Sequence, residues 1–243
     1  MRIIKLNAID STNSFLKVLS TQEVVENFTV VSTDFQTDGK GQRGSGWQSE
    51  NAKNLVFSVL YRQKLDNVSS LFTLNIVVAL SIVEALQTVC DLDLVIKWPN
   101  DILAENKKIG GILIENTFKN SNEVQSVIGI GLNLNQSQFN NLPQASSLFL
   151  LAKKEFDRET LLIAIVNQFE SNIKQLKVLG ETHFWDTYHR ILFKKEVVSS
   201  FEAISGKRFV GKIKEVTRDG KLAVLLEDDS VAFFDVKEVK MLY

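Results

Sequence analysis

The chain has 243 residues, of which 44% are hydrophobic and 23% are charged, so it is long enough for one large domain or for a large and a small one. Its net charge of −1 gives no indication of a general affinity for nucleic acid. The single cysteine, Cys90, excludes an internal disulfide and favours a reducing cytoplasm, and with only two histidines it cannot build a usual zinc site.

The N-terminal segment places four consecutive polar residues in front of a predicted helix. Residues 1–7 have neither a long apolar core nor a small-residue cleavage site, so no signal peptide is predicted. The run Asp10-Ser-Thr-Asn13 precedes an apolar pattern that begins at Phe15, and these residue types cap helices. Capping uses one or two of the four side chains, which leaves the others to bind a polar ligand.

A glycine-rich stretch, Gln36–Trp47, follows a strand predicted at Phe28–Phe35. It holds four of the chain's twelve glycines, together with Lys40 and Arg43. Glycines let several backbone N–H groups turn toward one anion, and the two cations point to a phosphate or a carboxylate. The stretch lacks the Gly-Lys-Ser/Thr of a P-loop. On composition alone, a solvated surface loop stays open as the alternative.

A strand predicted at Asn54–Arg62 leads into a helix over residues 70–90. The polar residues of this helix, among them Ser81 and Glu84, recur at helical spacing. This pattern predicts a core helix with one solvated edge, and not a membrane span.

The next strand, over residues 92–98, ends in the motif Lys97-Trp-Pro-Asn-Asp101. Pro99 ends the strand, and the two residues after it suit a turn. A lysine, a tryptophan and a carboxylate at one strand end indicate more than a plain turn.

Two glycine-containing strands follow. Lys108–Glu115 carries paired glycines, which in a strand mark a close approach by backbone or ligand. The strand over 124–132 ends in Gly129-Ile-Gly131-Leu-Asn133, which lacks the helix and the acid of a dinucleotide fingerprint. The polar segment 136–147 is either a surface loop or a cover over part of a site.

The rest of the chain predicts two helices and a small barrel. Asp157 begins a long amphipathic helix, and a second helix follows over residues 181–191. From about Lys195, short strands predicted at 209–216, 221–226 and 231–236 are separated by turns. This pattern is typical of a β-barrel of about fifty residues.

Five motifs in this order resemble those of biotin protein ligases. They are Asp10-Ser-Thr-Asn13, Gln36-x-x-Gly-Lys-Gly-Gln-Arg-Gly-x-x-Trp47, Lys97-Trp-Pro-Asn-Asp101, Lys108-Ile-Gly-Gly-Ile-Leu-Ile-Glu115 and Gly129-Ile-Gly-Leu-Asn133. The resemblance covers essentially the whole chain. It implies an α+β fold, with a mixed β-sheet packed with helices (class II aminoacyl-tRNA synthetase-like) in a catalytic domain at 1–193. An SH3-like β-barrel is implied at 194–243.

The resemblance also implies a two-step reaction. The carboxylate of biotin attacks the α-phosphorus of ATP, giving biotinyl-5′-AMP and pyrophosphate. A lysine of a biotin carboxyl carrier protein domain then attacks the acyl group and releases AMP. Mg²⁺ is expected with ATP, without dedicated protein ligands. The first step brings two anions together, and at about 4 Å unit charges repel by roughly 4 kcal/mol at an effective dielectric of about 20.

Site residues are implied on the same basis. The catalytic residues are Lys108, which contacts the reacting carboxylate and phosphate, Asp101, which orients or helps to deprotonate the acceptor lysine, and Arg43. The implied biotin contacts are Ser11, Thr12, Asn13, Gln36, Lys40, Gly41, Gln42, Lys108, Gly110 and Gly111. The implied contacts to ATP or the adenylate are Lys40, Arg43, Trp47, Lys97, Asn100, Lys108 and Asn133. Lys97 either positions phosphates or pairs with a carboxylate.

The chain departs from the family at two positions of the glycine-rich stretch, since many members carry arginine where this chain has Lys40 and Gln42. Some members also have an N-terminal helix-turn-helix domain that represses transcription. Because the first motif begins at Asp10, we expect a ligase without a DNA-binding domain, and neither a nucleic acid nor a membrane as a partner. Some members pair through sheet edges, which makes a homodimer one expectation.

Two alternatives stay open. One is a lipoate–protein ligase or transferase of related fold, against which the Gly-Lys-Gly-Gln-Arg-Gly run and the barrel favour biotin. The other is a non-catalytic biotin or nucleotide sensor, against which the presence of both Lys108 and Asp101 favours an enzyme.

Overall fold

The larger of two β-sheets has seven strands. The computed structural model describes residues 1–64, 70–120, 123–140 and 142–243, and for Arg43, Ser70 and Asn120 it describes the backbone alone. The strands are β1 (Ile3–Ile9), β2 (Val30–Gln36), β3 (Leu55–Lys64), β4 (Leu94–Lys97), β5 (Asp101–Ala104), β6 (Lys107–Asn120) and β7 (Glu123–Leu132). Their order is β1-β2-β3-β7-β6-β5-β4. β1 and β2 are parallel and the other neighbours are antiparallel, so the prediction of a mixed sheet is confirmed.

Helices pack on both faces of this sheet. They are α1 (Thr12–Gln22), α2 (Ser70–Gln87), α3 (Leu148–Ala152) and α4 (Arg158–Arg190). Successive residues of a strand point to opposite faces. Accordingly, Phe57 and Val59 of β3 belong to the main core with α2 and α4, whereas Leu60 packs against Leu16 of α1 in a smaller core. Burying each such large apolar side chain stabilises the fold by about 1.5–3 kcal/mol.

The polar edge predicted for α2 is not solvated along its whole length. Ser81 is fully buried, and its hydroxyl accepts a hydrogen bond from the Asn172 side chain of α4 at 3.0 Å. The same amide donates to Glu84 Oε2 at 2.6 Å. Buried polar groups require hydrogen-bond partners, and Ser81 finds its partner on α4. The prediction that this edge of α2 faces solvent is therefore wrong at Ser81, where the polar groups join the two helices. In the described ranges, no helix is both long and apolar enough to cross a membrane.

Helix α4 contains a break at Gly180, whose φ of 77° and ψ of 170° are not helical. Glycine adopts positive φ without the steric cost that other residues incur. The break falls between the two helices predicted from the sequence. At the start of α4, the carboxylate of Asp157 accepts a hydrogen bond from the backbone N–H of Thr160 at 2.7 Å, which is the predicted cap.

The second sheet, which we call the C-terminal barrel, has five antiparallel strands. They are β8 (Val198–Ala203), β9 (Arg208–Val216), β10 (Leu222–Leu226), β11 (Val231–Phe234) and β12 (Val239–Leu242), in the order β11-β10-β9-β8-β12. The indole N–H of Trp98 donates to the carbonyl of Gly220 at 2.9 Å, which joins the β9–β10 turn to the larger sheet. A Cβ at Gly220 would lie 2.6 Å from the ring of Phe72, so the packing of the β9–β10 turn against Phe72 requires glycine.

Candidate active site

A cavity of about 510 Å³ is lined by residues of both sheets. Thirteen of the sixteen predicted site residues line it: Ser11, Thr12, Asn13, Gln36, Lys40, Gly41, Gln42, Trp47, Lys97, Asn100, Asp101, Lys108 and Gly111. They come from the start of α1, the glycine-rich stretch, the turn between β4 and β5, and β6. The sequence therefore located thirteen of the 32 described lining residues, in segments that are far apart in the chain.

One end of the cavity is neutral and polar. Gln36 Oε1 accepts hydrogen bonds from the backbone N–H of Thr12 at 2.9 Å and from its hydroxyl at 3.1 Å. The hydroxyl of Ser58 lies 2.7 Å from Thr12 Oγ1 and 2.5 Å from Asn13 Oδ1. Ser58 is fully buried and was not predicted as a site residue, although a serine in the middle of the apolar strand β3 was a signal. Short hydroxyls and amides suit an uncharged ligand that both donates and accepts.

A carboxylate lies behind this polar end. Glu115 Oε2 accepts a hydrogen bond from Asn13 Nδ2 at 2.8 Å, and Oε1 pairs with the ammonium group of Lys17. Burial by itself would raise the pKa of Glu115, but the hydrogen bonds from Lys17 and Asn13 outweigh it and hold the pKa below its ordinary value. Glu115 is therefore a charged acceptor at neutral pH.

The cavity is also lined by a cluster of two lysines and one aspartate. Asp101 Oδ1 lies 2.6 Å from Lys108 Nζ, and Asp101 Oδ2 lies 3.6 Å from Lys97 Nζ. Strand pairing places these groups together, because Asp101 is opposite Lys97 on β4 and opposite Gly111 on β6. The three side chains are thus held on neighbouring strands, which fixes their mutual distances.

The turn at residues 98–100, which leads into Asp101 at the start of β5, is held from both sides. The peptide bond between Trp98 and Pro99 is cis. The side-chain amide of Asn100 donates to the carbonyl of Ile112 at 2.6 Å, so it is used within the sheet while the residue lines the cavity. Together with the bond from Trp98 to the barrel, this contact positions the aspartate.

Burial lowers the pKa of Lys97, the Asp101 carboxylate acts in the opposite direction, and the cations of Lys108 and Lys240 lower it further. The ring of Tyr243 lies beside this cluster, with its centroid 5.2 Å from Lys97 Nζ. Burial and the charge of Asp101 raise the pKa of Tyr243 to about 12. An electron-rich ring next to a partly buried cation attracts it, so the residue that follows β12 helps to hold Lys97.

The glycine-rich stretch folds back on itself over the cavity. The N–H of Gly41 donates to the carbonyl of Ser45 at 2.6 Å, and the N–H of Trp47 donates to the carbonyl of Gly39 at 2.8 Å. Lys40 Nζ donates to Ser14 Oγ at 3.4 Å, which directs this cation toward the start of α1. The side chain of Arg43, predicted to be catalytic, lies outside the described part of the structure.

The ring of Trp47 lies on the two glycine-containing strands. A Cβ on Gly131 would come within 2.5 Å of Trp47 Cε2, and a Cβ on Gly111 would lie 3.7 Å from Trp47 Cζ3. Glycine at 131 is therefore required for this close approach, which was predicted for the paired glycines of β6 and not for this position. The indole N–H of Trp47 is buried, and among the described residues it has no hydrogen-bond partner.

Two predicted contacts do not line the cavity. Gly110 faces the sheet, since a Cβ there would collide with Leu132 Cδ2. Asn133 is buried, and its side-chain amide donates to the carbonyl of Ser146 at 3.0 Å. Gly110 therefore allows close packing, and the Asn133 amide fastens the end of β7 to the loop before α3.

The barrel supplies part of the lining that the sequence did not predict. These residues are Ile213, Leu222, Val236, Lys237, Val239, Lys240 and Met241. With Lys40, Lys97 and Lys108, the described lining holds five lysines and one carboxylate, Asp101. This excess of positive charge predicts a ligand that carries several negative charges. The neutral polar end of the cavity suits an uncharged ring. In the described ranges, no group of three or more His, Cys, Asp or Glu side chains could hold a metal ion.

Comparison with known proteins gives a consistent result. The model of a family described as "Biotin/lipoate A/B protein ligase family" matches residues 6–133. A Bacillus subtilis protein named "Bifunctional ligase/repressor BirA" is 29% identical over 194 residues, which are 76% of this chain and 59% of that protein. The chain thus spans about six tenths of the length of this relative. A Mycobacterium tuberculosis "Biotin--[acetyl-CoA-carboxylase] ligase" is 27% identical over 217 residues, covering 88% of this chain and 79% of that protein.

The fold also matches solved structures. The biotin protein ligase of Aquifex aeolicus, solved in complex with biotin and ATP, superposes with a TM-score of 0.81 at 25% identity. The match covers 99% of this chain and 98% of that one. A point mutant of the same Aquifex aeolicus ligase, solved in complex with biotin, gives the same TM-score and identity, with 100% of this chain covered. Both sheets are therefore included in the match.

Proposed function

The chain belongs to the biotin/lipoate A/B protein ligase family, and we propose that it is a biotin–protein ligase. It activates biotin with ATP as biotinyl-5′-AMP and transfers the biotinyl group to a lysine of a carboxylase's biotin carboxyl carrier domain. The observation that carries this proposal is the layout of the cavity, in which a neutral polar end at Thr12, Asn13 and Gln36 adjoins a cluster of lysines. This order matches a molecule with a ureido ring at one end and a carboxylate that reacts with a polyphosphate at the other.

In the first step, an oxygen of the biotin carboxylate bonds to the α-phosphorus, and the bond from that phosphorus to the bridging oxygen breaks, releasing pyrophosphate. Lys108 has the central role because it lines the cavity with its ammonium group 2.6 Å from Asp101 and its side chain beside Gly111. Its ammonium group offsets the repulsion between carboxylate and phosphate, and Lys40 adds positive charge from the glycine-rich stretch. Arg43 is proposed to act with them. Mg²⁺ arrives with ATP as part of the substrate.

In the second step, the nitrogen of the acceptor lysine attacks the acyl carbon, the bond to the phosphate oxygen breaks, and AMP leaves. Asp101 orients this amine and helps to remove its proton, since a lysine of ordinary pKa is almost wholly protonated at neutral pH. Its carboxylate is kept at the cavity by Lys108 and Lys97, at 2.6 and 3.6 Å.

Trp47 is proposed to stack on adenine, and Asn100 and Lys97 to contact the adenylate. Ser11, Gly41, Gln42 and Gly111 complete the proposed biotin side. Gly110 and Asn133 act there through the backbone they support, because their side-chain positions face the protein.

We further propose a division into a catalytic domain at 1–193 and a barrel at 194–243. Its support is the change from α4, which ends at Arg190, to β8, which begins at Val198. The proposed setting is the cytoplasm, and a homodimer is proposed from the family resemblance alone, for which light scattering in solution is the test.

The deciding experiment measures pyrophosphate release and enzyme-bound adenylate by mass spectrometry. The protein is supplied with ATP, Mg²⁺ and either biotin or lipoate, without an acceptor. We expect biotin-dependent pyrophosphate and biotinyl-5′-AMP. Dependence on lipoate would assign the chain to lipoate activation. Tight biotin binding without any adenylate would favour the alternative of a non-catalytic biotin sensor.

A further inference from the structure

Glu115 contacts the cavity from behind without lining it. Its carboxylate accepts a hydrogen bond from Asn13 Nδ2 at 2.8 Å, and its other oxygen pairs with Lys17. Asn13 does line the cavity, at its neutral polar end. The charged group is therefore one contact away from the proposed ligand.

This contact fixes the orientation of the Asn13 amide. A carboxylate that is charged only accepts hydrogen bonds, so the NH₂ group of the amide has to face Glu115. The amide oxygen then points the opposite way, toward Ser58 at 2.5 Å. A hydroxyl can donate or accept, so Ser58 tolerates either orientation and does not select one. The Leu113 carbonyl also accepts from Asn13 Nδ2, at 3.4 Å, so the charged Glu115, at 2.8 Å, is the nearer of the two acceptors that select this orientation.

The amide oxygen also lies at the cavity surface. A Cβ at Gly129 would come within 2.5 Å of Asn13 Oδ1, and Gly129 lines the cavity. Because glycine has no side chain there, the oxygen lies against the Gly129 backbone, on a stretch of β7 that lines the cavity together with Asn13 itself. Gln36 has the complementary polarity, since its oxygen already accepts two hydrogen bonds from Thr12 and its NH₂ group is the donor that is left.

We propose that Glu115 is a positioning residue that keeps the Asn13 oxygen turned toward a ureido N–H group of biotin and so makes the site select a ring that donates at that position. The inference rests on the proposed function. The new element is that a residue outside the cavity sets the selectivity for the ring.

The test compares wild-type protein with Glu115→Gln in biotin-dependent ATP–pyrophosphate exchange. The glutamine amide can donate or accept, so only the longer contact with the Leu113 carbonyl, at 3.4 Å, still favours the original orientation of Asn13. With one hydrogen bond to the ring no longer enforced, we expect the KM for biotin to rise about threefold to tenfold, while kcat stays within about twofold. Circular dichroism and the melting temperature establish that the variant is folded.

Ring polarity is probed with two cyclic carbamate analogues of biotin, each with one ureido N–H replaced by oxygen. In the wild type, the Asn13 oxygen repels the ring oxygen of one analogue. In the variant, a turned amide donates to it. We expect the preference for biotin over that analogue, measured as the ratio of their kcat/KM values, to be about tenfold smaller in the variant than in the wild type. Lys17→Met is the matched control, because it leaves the bond between Glu115 and Asn13 in place, and its preference should equal that of the wild type.

A double variant supplies a rescue. When Asn13→Asp is added to Glu115→Gln, the new carboxylate presents an oxygen on both sides and accepts from the glutamine amide. The KM for biotin should then return to within about threefold of the wild-type value. In Asn13→Asp alone, two carboxylates are in contact, so the KM for biotin should not return to the wild-type range.

An unchanged analogue preference in folded Glu115→Gln would overturn the positioning role, as would an equal loss for all ligands without rescue. If the wild type itself shows no biotin-dependent exchange, the proposed function fails, and the inference fails with it.

Discussion

Lys108 is the residue whose loss should separate the two half-reactions most clearly. We consider Lys108→Met, which keeps an unbranched apolar chain of similar length and removes only the charge. The ammonium group lies 2.6 Å from Asp101 in the structure, and under the proposed function the two anionic substrates meet beside it. Without it, one attraction to those anions is lost and the Asp101 carboxylate is left to repel them.

A unit charge acting at about 4 Å with an effective dielectric near 20 is worth about 4 kcal/mol. Lys108 is 36% exposed, so solvent reduces the effect, and we expect adenylation to fall by about 10² to 10³-fold in kcat/KM. The assay is biotin-dependent ATP–pyrophosphate exchange, followed by a transfer assay from supplied biotinyl-5′-AMP, which should fall less.

The matched control is the neighbouring Lys107. Its ammonium group donates to the Pro143 carbonyl at 2.8 Å and is exposed, so Lys107→Met should keep exchange activity within about twofold. Exchange by Lys108→Met within about tenfold of the wild type would refute the central role of this charge.

Three further outcomes follow from the contacts described. Asp101→Asn should keep adenylation within about tenfold but slow transfer to the carrier lysine by about 10² to 10⁴-fold, and equal losses in both half-reactions would contradict its assigned role. Tyr188 has a buried hydroxyl without a hydrogen-bond partner among the described residues, so chemical denaturation of Tyr188→Phe should show an unfolding free energy unchanged or higher by up to about 1 kcal/mol. Because the pKa of Glu115 is lowered in the folded state, its charge contributes stability above its unfolded pKa, and this contribution is lost as the pH falls through the folded pKa. The difference in melting temperature between wild type and Glu115→Gln should therefore be largest near pH 7 and shrink below about pH 4, and a constant difference would argue against an ionised Glu115.

The sequence predicted those parts of the fold that have a local signature. Periodic apolar residues located α2 and both parts of α4, and turn residues located β9 and β10. Strand β1 was not predicted, because it pairs in parallel with β2 and no local turn joins the two strands. Strands β8 and β12 were missed for a similar reason, since they pair with each other across most of the barrel sequence.

The same limit applies to the site. Motifs located Asp101 and Lys108 because each belongs to a recognisable run of residues. Lys240 and Met241 belong to no such run, and only the packing of the barrel against the larger sheet brings them to the cavity. Glu115 was within a recognised motif, yet its role depends on the amide of Asn13, 102 positions away.

The cavity takes lining residues from Ser11 to Met241, which are 230 positions apart in the chain (241 − 11). At synthesis rates of about 5–20 residues per second, roughly 10 to 50 s separate the manufacture of the two. A nascent chain thus exposes the polar side chains at the start of α1 well before the barrel strands that line the rest of the cavity exist. Under the proposed function, a mixed anhydride formed before the barrel packs would meet water, so enclosing the chemistry has to wait for the barrel.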